Sequence, residues 1–321
     1  MNKVLIVGDL HISDSYVGSH QDYWGECVSI LSSISSIIQK RGITHLILTG
    51  DLVGIREKNF KQRESLMVFM MTLKRWNELT NNNVYSVIGN HDISGRTTDF
   101  ELFESLGLIK TSRTLGENYV DIASIRYHLI NYGDEGLELS FRDNGSNIGV
   151  THADIQISGK TTWWYPSAVR FELSTMENWK GLEMIIAGHI HNPSPKMVST
   201  DIDGSNISLF YLGCPTRPRK GDNWDSCWIT QFDVDDLDVN CTVLELPLPH
   251  DVFVKTTEDI EEDFEDTEVT KIEELAAILN TLSEYKLDSD DDIEGQIKRF
   301  SGVDTKAMNL ALEYYNAVKN S

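Results

Sequence analysis

Residues 84–92, with the sequence VYSVIGNHD, combine an apolar run with the polar side chains Asn90, His91 and Asp92 at its end. A short uninterrupted apolar run is typical of a strand whose two faces are both buried. Ligands in open α/β sheets bind beyond the carboxyl ends of the strands. This segment therefore predicts a buried strand that delivers three polar side chains to a site at one edge of a sheet.

Four other segments repeat this arrangement of an apolar run followed by potential metal ligands. They are Val4–His11 (VLIVGDLH), Leu46–Asp51 (LILTGD), Ile148–His152 (IGVTH) and Met184–His191 (MIIAGHIH). Because all five segments end in Asp, Asn or His, they predict one metal site assembled from distant parts of the chain.

The order of the predicted elements indicates an α/β protein. Asp22–Arg41 and Phe60–Leu79 have apolar residues at helical spacing and separate the first three predicted strands, a βαβαβ rhythm typical of parallel sheets. After residue 93 strand-like segments dominate, apart from a long loop predicted for residues 153–168. They lie near 118–123, 125–131, 147–151, 182–187, 196–202, 206–213, 226–234 and 241–246. The prediction is a two-sheet sandwich flanked by helices.

Charge separates the last fifth of the chain from the rest. The net charge of the 321 residues is −22. Residues 255–321 carry 18 acidic and 7 basic side chains, a net −11 and therefore half of the total. Residues 258–268 hold eight of these acids, which predicts an acidic linker. Apolar residues at helical spacing follow, so a small C-terminal helical module is expected after the linker.

Composition excludes several classes of protein. No apolar run approaches the roughly 18 residues of a transmembrane helix, and the chain enters a predicted strand at once, without a secretory signal. The four cysteines have neither zinc-finger spacing nor a close pair, which favours free thiols in a reducing cytosol. A net charge this negative argues against broad nonspecific binding to nucleic acid.

Seven side chains form the predicted metal site. They are Asp9, His11, Asp51, Asn90, His152, His189 and His191. Carboxylate and imidazole donors without cysteine favour manganese, iron or zinc in a catalytic site over a structural zinc site. Seven donors exceed the needs of one catalytic ion and fit two ions that share a carboxylate. Such a pair, about 3.5–4 Å apart, can activate water and clamp a phosphoryl group.

These motifs, in this order, resemble the calcineurin-like metallophosphoesterase family. The resemblance covers roughly residues 3–235 and implies a two-sheet sandwich and phosphoester hydrolysis with two divalent ions, for which we predict manganese. It assigns Asp9, His11 and His191 to one ion, Asn90, His152 and His189 to the other, and Asp51 to both. It also implies that His91 protonates the leaving oxygen or stabilises the transition state, and that Asp92 orients His91.

The segment Tyr211–Thr216 (YLGCPT) is similar to the corresponding loop of SbcD-type nucleases of double-strand-break repair, including bacteriophage recombination endonuclease subunits. This similarity implies a DNA exo- or endonuclease, a homodimer in the cytoplasm of a bacterium or of a phage-infected cell, and an SbcC-like coiled-coil ATPase as partner. The expected domains are a nuclease domain at 1–250, an acidic linker at 251–270 and an ATPase-binding helical module at 271–321. The DNA-capping region of such nucleases is reduced here to residues near 241–255.

Two groups of residues are candidates for substrate contacts. Arg217, Arg219 and Lys220 follow the Tyr211–Thr216 loop and are predicted to hold phosphates. A second basic group, at residues 56–63, is equally consistent with a solvated helix face. Trp163, Trp164 and Tyr165 are suited to stacking on unpaired bases or to anchoring a protein partner.

Two other functions remain open from the sequence. The first is a metallophosphoesterase that acts on phosphoproteins or small nucleotides with the same metal centre. The second is a non-catalytic binding module on the same fold, which is disfavoured because every expected ligand position is filled, including His91.

Overall fold

The computed structural model describes part of the chain in detail. The described residues are 1–13, 20, 22–54, 63–93, 99–156, 170–192, 198–202, 205–218, 225–235 and 239–248. The chain divides into two units, Met1–Val254 and Lys255–Ser321, and every described residue belongs to the first. The predicted linker at 251–270 and helical module at 271–321 lie outside the described residues.

The described residues form thirteen strands, four α-helices and two short 3₁₀ turns. The strands are β1 (Asn2–Val7), β2 (His45–Leu48), β3 (Val84–Ser86), β4 (Tyr119–Ile122), β5 (Ile125–Ile130), β6 (Ser146–Thr151), β7 (Asp154–Gln156), β8 (Arg170–Glu172), β9 (Met184–Ala187), β10 (Val198–Ile202), β11 (Ser205–Tyr211), β12 (Ser226–Val234) and β13 (Val239–Pro247). The helices are α1 (Tyr23–Arg41), α2 (Arg63–Thr80), α3 (Asp99–Ser105) and α4 (Ser112–Leu115), and the 3₁₀ turns are Leu173–Thr175 and Glu177–Trp179.

Two large sheets contain most of the strands. The first has the order β13-β12-β1-β2-β3, with β1, β2 and β3 parallel and β12 and β13 antiparallel to their neighbours. The second has the order β10-β11-β9-β6-β5-β4, with the four central strands parallel and the two edge strands antiparallel. Strands β7 and β8 form a separate parallel pair.

The core explains why the central strands are apolar throughout. In β1, Leu5 and Val7 pack in a cluster with apolar residues of α1 and α2, whereas Val4 and Ile6 belong to a cluster shared with the second sheet. Successive side chains of a strand point to opposite faces, so both faces of β1 are buried. The predicted two-sheet sandwich flanked by helices is confirmed for this part of the chain.

Helix α1 begins at a side-chain cap. The carboxylate of Asp22 accepts a hydrogen bond from the Gly25 amide at 2.8 Å, and Gly42 ends the helix in the left-handed conformation. A capping aspartate satisfies an amide that has no partner within the helix. Replacing Asp22 with alanine is therefore expected to lower the free energy of unfolding by about 1 kcal/mol in urea titrations. Asp143→Ala, which changes an exposed aspartate in a bend, should have little effect; equal losses in both variants would contradict the capping role.

Three segments differ from the sequence prediction. Strand β3 ends at Ser86, although Val87 still donates a backbone hydrogen bond to Leu48 at 3.0 Å. Strand β7 lies inside the predicted loop at 153–168, because it pairs with the distant strand β8. Residues 239–247 form β13 along the whole of β12. Among the described residues, no helix is long and apolar enough to cross a membrane.

Candidate metal centre

All seven predicted metal ligands follow the carboxyl ends of parallel strands. Those from the first sheet follow β1, β2 and β3, and those from the second follow β6 and β9. Backbone bonds hold the first two loops together, because the amides of Leu10 and His11 donate to the Asp51 carbonyl at 3.2 and 2.9 Å. His11, Asp51 and His189 have positive φ angles of 43°, 47° and 76°. Strained backbone of this kind is concentrated at functional sites.

The carboxylate of Asp51 lies between histidines from three loops. Its Oδ2 is 3.1 Å from His152 Nε2 and 3.6 Å from His11 Nε2. The other oxygen, Oδ1, accepts the His91 backbone N–H at 2.8 Å. Asp51 is 1% exposed. This central position is the one that a bridging carboxylate requires.

Asn90, His152 and His189 form one side of the site. Asn90 Oδ1 is 2.9 Å from His152 Nε2 and 3.0 Å from His189 Nδ1, and the two imidazoles approach to 3.3 Å. His152 Nδ1 is 2.9 Å from the Thr49 carbonyl. A hydrogen bond of this kind on one ring nitrogen is typical of a metal-binding histidine, because it orients the other nitrogen towards the ion. His152 Nε2 therefore faces the site.

Asp9, His11 and His191 form the other side. Asp9 is fully buried; its Oδ1 accepts from the Thr49 hydroxyl at 2.9 Å and its Oδ2 from the His189 amide at 2.7 Å. His11 and His191 approach with their Nε2 atoms 3.1 Å apart. Asp9 also groups with Asp51 and His152, since one ligand atom from each lies within 4.8 Å of the others. Asp9 is thus close to both sides of the site.

Two glycines of the motifs are required by this close approach. A Cβ atom on Gly89 would clash with the carboxylate of Asp51, and one on Gly188 would clash with Asp9 and the Thr49 hydroxyl. Glycine allows backbone and ligand atoms to approach where no other residue can. The spacing of these motifs therefore serves the packing of the carboxylates as well as the supply of ligands.

Burial and nearby opposite charges shift the pKa values of Asp9, Asp51 and His152 in opposite directions. Burial would raise the pKa of Asp51, but His152 and His11 hold it well below its usual range. Burial raises the pKa of Asp9 despite the opposing effect of His152. For His152, burial would lower the pKa, but the two carboxylates outweigh it and raise the pKa to about 10. A proton on Nε2 of His152 would point to Asp51, so the carboxylates favour positive charge at the centre of the site.

The pKa values of two other histidines of the site, His11 and His189, favour the neutral imidazole. Burial lowers the pKa of His189 to about 4, and burial places the pKa of His11 well below its usual value. A neutral imidazole is the form that binds a metal ion. The largely buried donor set of two carboxylates, one amide oxygen and four imidazoles therefore fits divalent metal ions.

His91 and Asp92 lie beside these ligands. The His91 ring is 5.4 Å from the His11 ring, between centroids, and is partly exposed. Asp92 is buried, and its carboxylate accepts three backbone N–H groups: those of Asp51 at 2.7 Å, Leu52 at 2.9 Å and Gly89 at 2.8 Å. The prediction that Asp92 orients the His91 imidazole stays a prediction. These three bonds show that Asp92 also joins the loops after β2 and β3.

Arg217 pairs with a carboxylate of α1. The residue is 1% exposed, and its Nε donates to Glu26 of α1 at 2.9 Å. The same carboxylate approaches His20 Nε2 at 2.5 Å. Buried charges are retained in pairs, so Arg217 anchors its loop to α1, and its predicted contact with phosphate stays a prediction. Arg219 and Lys220, the basic residues 56–61 and the aromatic residues 163–165 lie outside the described residues.

Three residues near the site were not among the predicted ligands. Thr49 binds both Asp9 and His152, and its place directly before Gly50-Asp51 is the signal that would have found it. Tyr132 is 36% exposed, with its ring centroid 5.9 Å from that of His189; it follows the carboxyl end of β5, at the same edge of the sheet. The sulfur of Cys214 groups with His11 and His191.

The sequence profile of one family matches the chain over this site. No curated protein matches the chain in a comparison of sequences. The calcineurin-like phosphoesterase profile matches residues 2–193, which is more than half of the chain. The matched part contains all seven predicted ligands together with His91 and Asp92. The chain therefore belongs to the calcineurin-like phosphoesterase family, whose members are metal-dependent hydrolases of phosphoesters.

Proposed function

We propose that the protein is a DNA nuclease that hydrolyses phosphodiesters with two divalent metal ions, and that it acts as the SbcD-like subunit of a complex with a coiled-coil ATPase in DNA recombination, repair or end processing. The observation that carries the proposal is the convergence of six predicted ligands on Asp51, four of them buried like Asp51 itself, with His91 at the partly exposed side of the cluster.

The residues divide the work between binding and proton transfer. Asp51 is suited to hold both ions, with Asp9, His11 and His191 on one side and Asn90, His152 and His189 on the other. When bound, two divalent ions neutralise charge on the phosphate and activate water. His91 is proposed to donate a proton to the departing sugar oxygen, the role of a general acid. Asp92 fixes the backbone that carries His91.

Two further observations favour an SbcD-type protein. The Tyr211–Thr216 loop, on which that resemblance rests, contacts the site directly: the Cys214 amide donates to the His191 carbonyl at 3.0 Å. Residues 239–247 are occupied by strand β13, which agrees with a reduced capping region. The proposed partners, DNA and an ATPase bound through residues 271–321, rest on the resemblance and on the acidic linker.

Nuclease assays with the full-length protein test the function. We expect Mn²⁺-dependent release of nucleotides from linear duplex DNA, and recovery of a coiled-coil ATPase when the full chain is used as bait. A chain ending at residue 254 should lose the ATPase. No cleavage of DNA with the ATPase present would contradict the nuclease. Hydrolysis of an aryl phosphodiester by the shortened chain, without DNA cleavage, would favour the alternative of a phosphoesterase for phosphoproteins or small nucleotides.

Replacing His91 with glutamine is expected to lower kcat for DNA cleavage by roughly 10²-fold, since glutamine keeps the size but cannot transfer a proton. The loss should shrink for an aryl phosphodiester, whose leaving oxygen needs no proton. Rapid-quench assays on both substrates measure this difference, and metal content should stay unchanged. His45→Gln, on β2 away from the ligands, is the control. An equal loss on both substrates would exclude the general-acid role.

A further inference from the structure

Cys214 lies in the metal centre although no motif placed it there. It is fully buried, and its sulfur and one ring nitrogen each of His11 and His191 all lie within 4.8 Å of one another. The two histidines approach through their Nε2 atoms at 3.1 Å. The buried thiol and two imidazoles form a second group of donors beside the oxygen-rich group of Asp9, Asp51 and His152.

The position of the Cys214 sulfur is fixed by contacts with both neighbouring ligand loops. The Cys214 amide donates to the His191 carbonyl at 3.0 Å, which joins it to the loop after β9. The Thr216 hydroxyl donates to the Leu10 carbonyl at 2.6 Å, which joins the same segment to the loop after β1. A Cβ atom on Gly8 would clash with the Gly213 carbonyl, so these backbones touch. The thiol is therefore preorganised beside the two histidines.

The distances are close to those of a shared ion. With zinc–nitrogen bonds of about 2.05 Å and zinc–sulfur bonds of about 2.3 Å, tetrahedral geometry separates two nitrogens by about 3.3 Å and sulfur from nitrogen by about 3.6 Å. The Nε2 atoms of His11 and His191 are 3.1 Å apart, and the Cys214 sulfur lies within 4.8 Å of a ring nitrogen of each histidine. The separation of the two imidazoles therefore fits a shared ion, and the sulfur lies beside them.

The thiol has a proton to release when it binds an ion. Cys214 Sγ is 3.5 Å from Thr216 Oγ1. Because the Thr216 hydroxyl proton is used in the bond to the Leu10 carbonyl, the sulfur is the donor in this contact. On coordination the S–H bond breaks, the proton passes to solvent and the thiolate forms the bond to the ion. No oxidant or reductant is needed.

We propose that Cys214 is a further protein ligand, as a thiolate, of the ion assigned to Asp9, His11, His191 and the bridging Asp51, and that it makes this position selective for a thiophilic ion such as Zn²⁺ or Fe²⁺ over Mn²⁺. Soft thiolate ligands favour these ions, whereas carboxylate and amide oxygens suit Mn²⁺. The inference rests on the proposed dimetal centre and refines it: when Zn²⁺ and Mn²⁺ compete, manganese is then expected mainly at the position of Asn90, His152 and His189.

Cobalt spectroscopy of the full-length protein tests this inference. Co²⁺ is expected to give visible d–d bands together with a thiolate-to-cobalt charge-transfer band in the near ultraviolet. The charge-transfer band should persist in Cys241→Ser, which changes an exposed cysteine outside the site, and disappear in Cys214→Ser. Bound cobalt without a charge-transfer band, or a band that survives in Cys214→Ser, would overturn the proposal that Cys214 is a ligand but would leave the dimetal centre standing. Failure to bind cobalt at all would overturn the dimetal centre and the inference with it.

Two measurements extend the test. In equimolar Zn²⁺ and Mn²⁺, the ratio of bound zinc to manganese, read by mass spectrometry, should fall by roughly tenfold in Cys214→Ser, since even indirect partners of a ligand change metal affinity by about that factor. An unchanged ratio would contradict the selectivity. If the variant does not fold, X-ray absorption of the zinc-loaded natural chain decides: a sulfur neighbour at about 2.3 Å supports the proposal, and only nitrogen and oxygen neighbours overturn it.

Discussion

Replacing Asp51 with asparagine is expected to lower kcat/KM for phosphodiester hydrolysis by roughly 10³–10⁴-fold, because charge stabilisation by bound metal ions is worth several kcal/mol. The substitution keeps the size of the side chain and the oxygen that accepts the His91 amide at 2.8 Å. It removes the negative charge located 3.1 Å from His152 and 3.6 Å from His11. Steady-state kinetics with an aryl phosphodiester measure the loss, and mass spectrometry should show fewer than two metal ions per chain.

Asp121→Asn is the matched control for Asp51→Asn. Asp121 pairs with Arg126 at the surface, with 41% of its side chain exposed, and lies on β4 away from the ligands. The activity and metal content of the Asp121→Asn variant should equal those of the natural chain. If Asp51→Asn kept two ions and full activity, the bridging role of Asp51 would be wrong.

Replacing Asp92 with alanine is expected to lower the free energy of unfolding by roughly 3–9 kcal/mol, since each of three buried amides left without an acceptor costs about 1–3 kcal/mol. The amides of Asp51, Leu52 and Gly89 all donate to this carboxylate. Activity should fall as well, because the loops that carry Asp51 and His91 lose their shared anchor. Urea unfolding followed by circular dichroism gives the stability change.

Asp121→Ala provides the comparison for Asp92→Ala. A surface ion pair such as Asp121 with Arg126 contributes about 0–1 kcal/mol, so this variant should unfold near the midpoint of the natural chain. If Asp92→Ala lost less than about 1 kcal/mol, water would be replacing the carboxylate, and the account of Asp92 as the anchor of both loops would fail.

The architecture could be predicted from the sequence because the apolar run of each strand and the polar residues after it are adjacent in the chain. Val4–Val7 and Met184–Ala187 are apolar on both faces, so burial on both sides could be inferred without knowing the partner strands. The ligands follow these runs directly, and parallel strands bring their carboxyl ends to one edge. That the seven predicted ligands lie at strand ends on one edge was therefore accessible from the sequence.

Contacts between distant residues were not accessible in this way. Arg217 was predicted to hold phosphate because it follows a loop near the site; its ion pair with Glu26, which is 191 residues away on α1, was not predicted. Cys214 was assigned to the free thiols, since nothing in its own segment indicates that His11 and His191 meet beside it. Asp92 was assigned only to the neighbouring His91 side chain, because sequence does not show that distant backbone amides also donate to its carboxylate.

The bounds of some strands were also not accessible from the sequence, because they depend on the partner strand. Strand β7 is three residues long and pairs with β8, so its own residues carry too short a pattern to separate it from a loop. Strand β13 was predicted two residues too short at its start and one at its end, because its register is set by β12 along its full length. Strand ends are decided by partners, which a local pattern does not contain.

Anomalous diffraction from crystals of the full chain grown with Mn²⁺ tests the central claim most directly. The account predicts two anomalous peaks about 3.5–4 Å apart on either side of the Asp51 carboxylate, one near His11 and His191 and the other near Asn90, His152 and His189. A second data set at the zinc absorption edge, from crystals grown with both metals, identifies the ion beside Cys214. A single peak, or two peaks that Asp51 does not join, would contradict the shared dimetal centre.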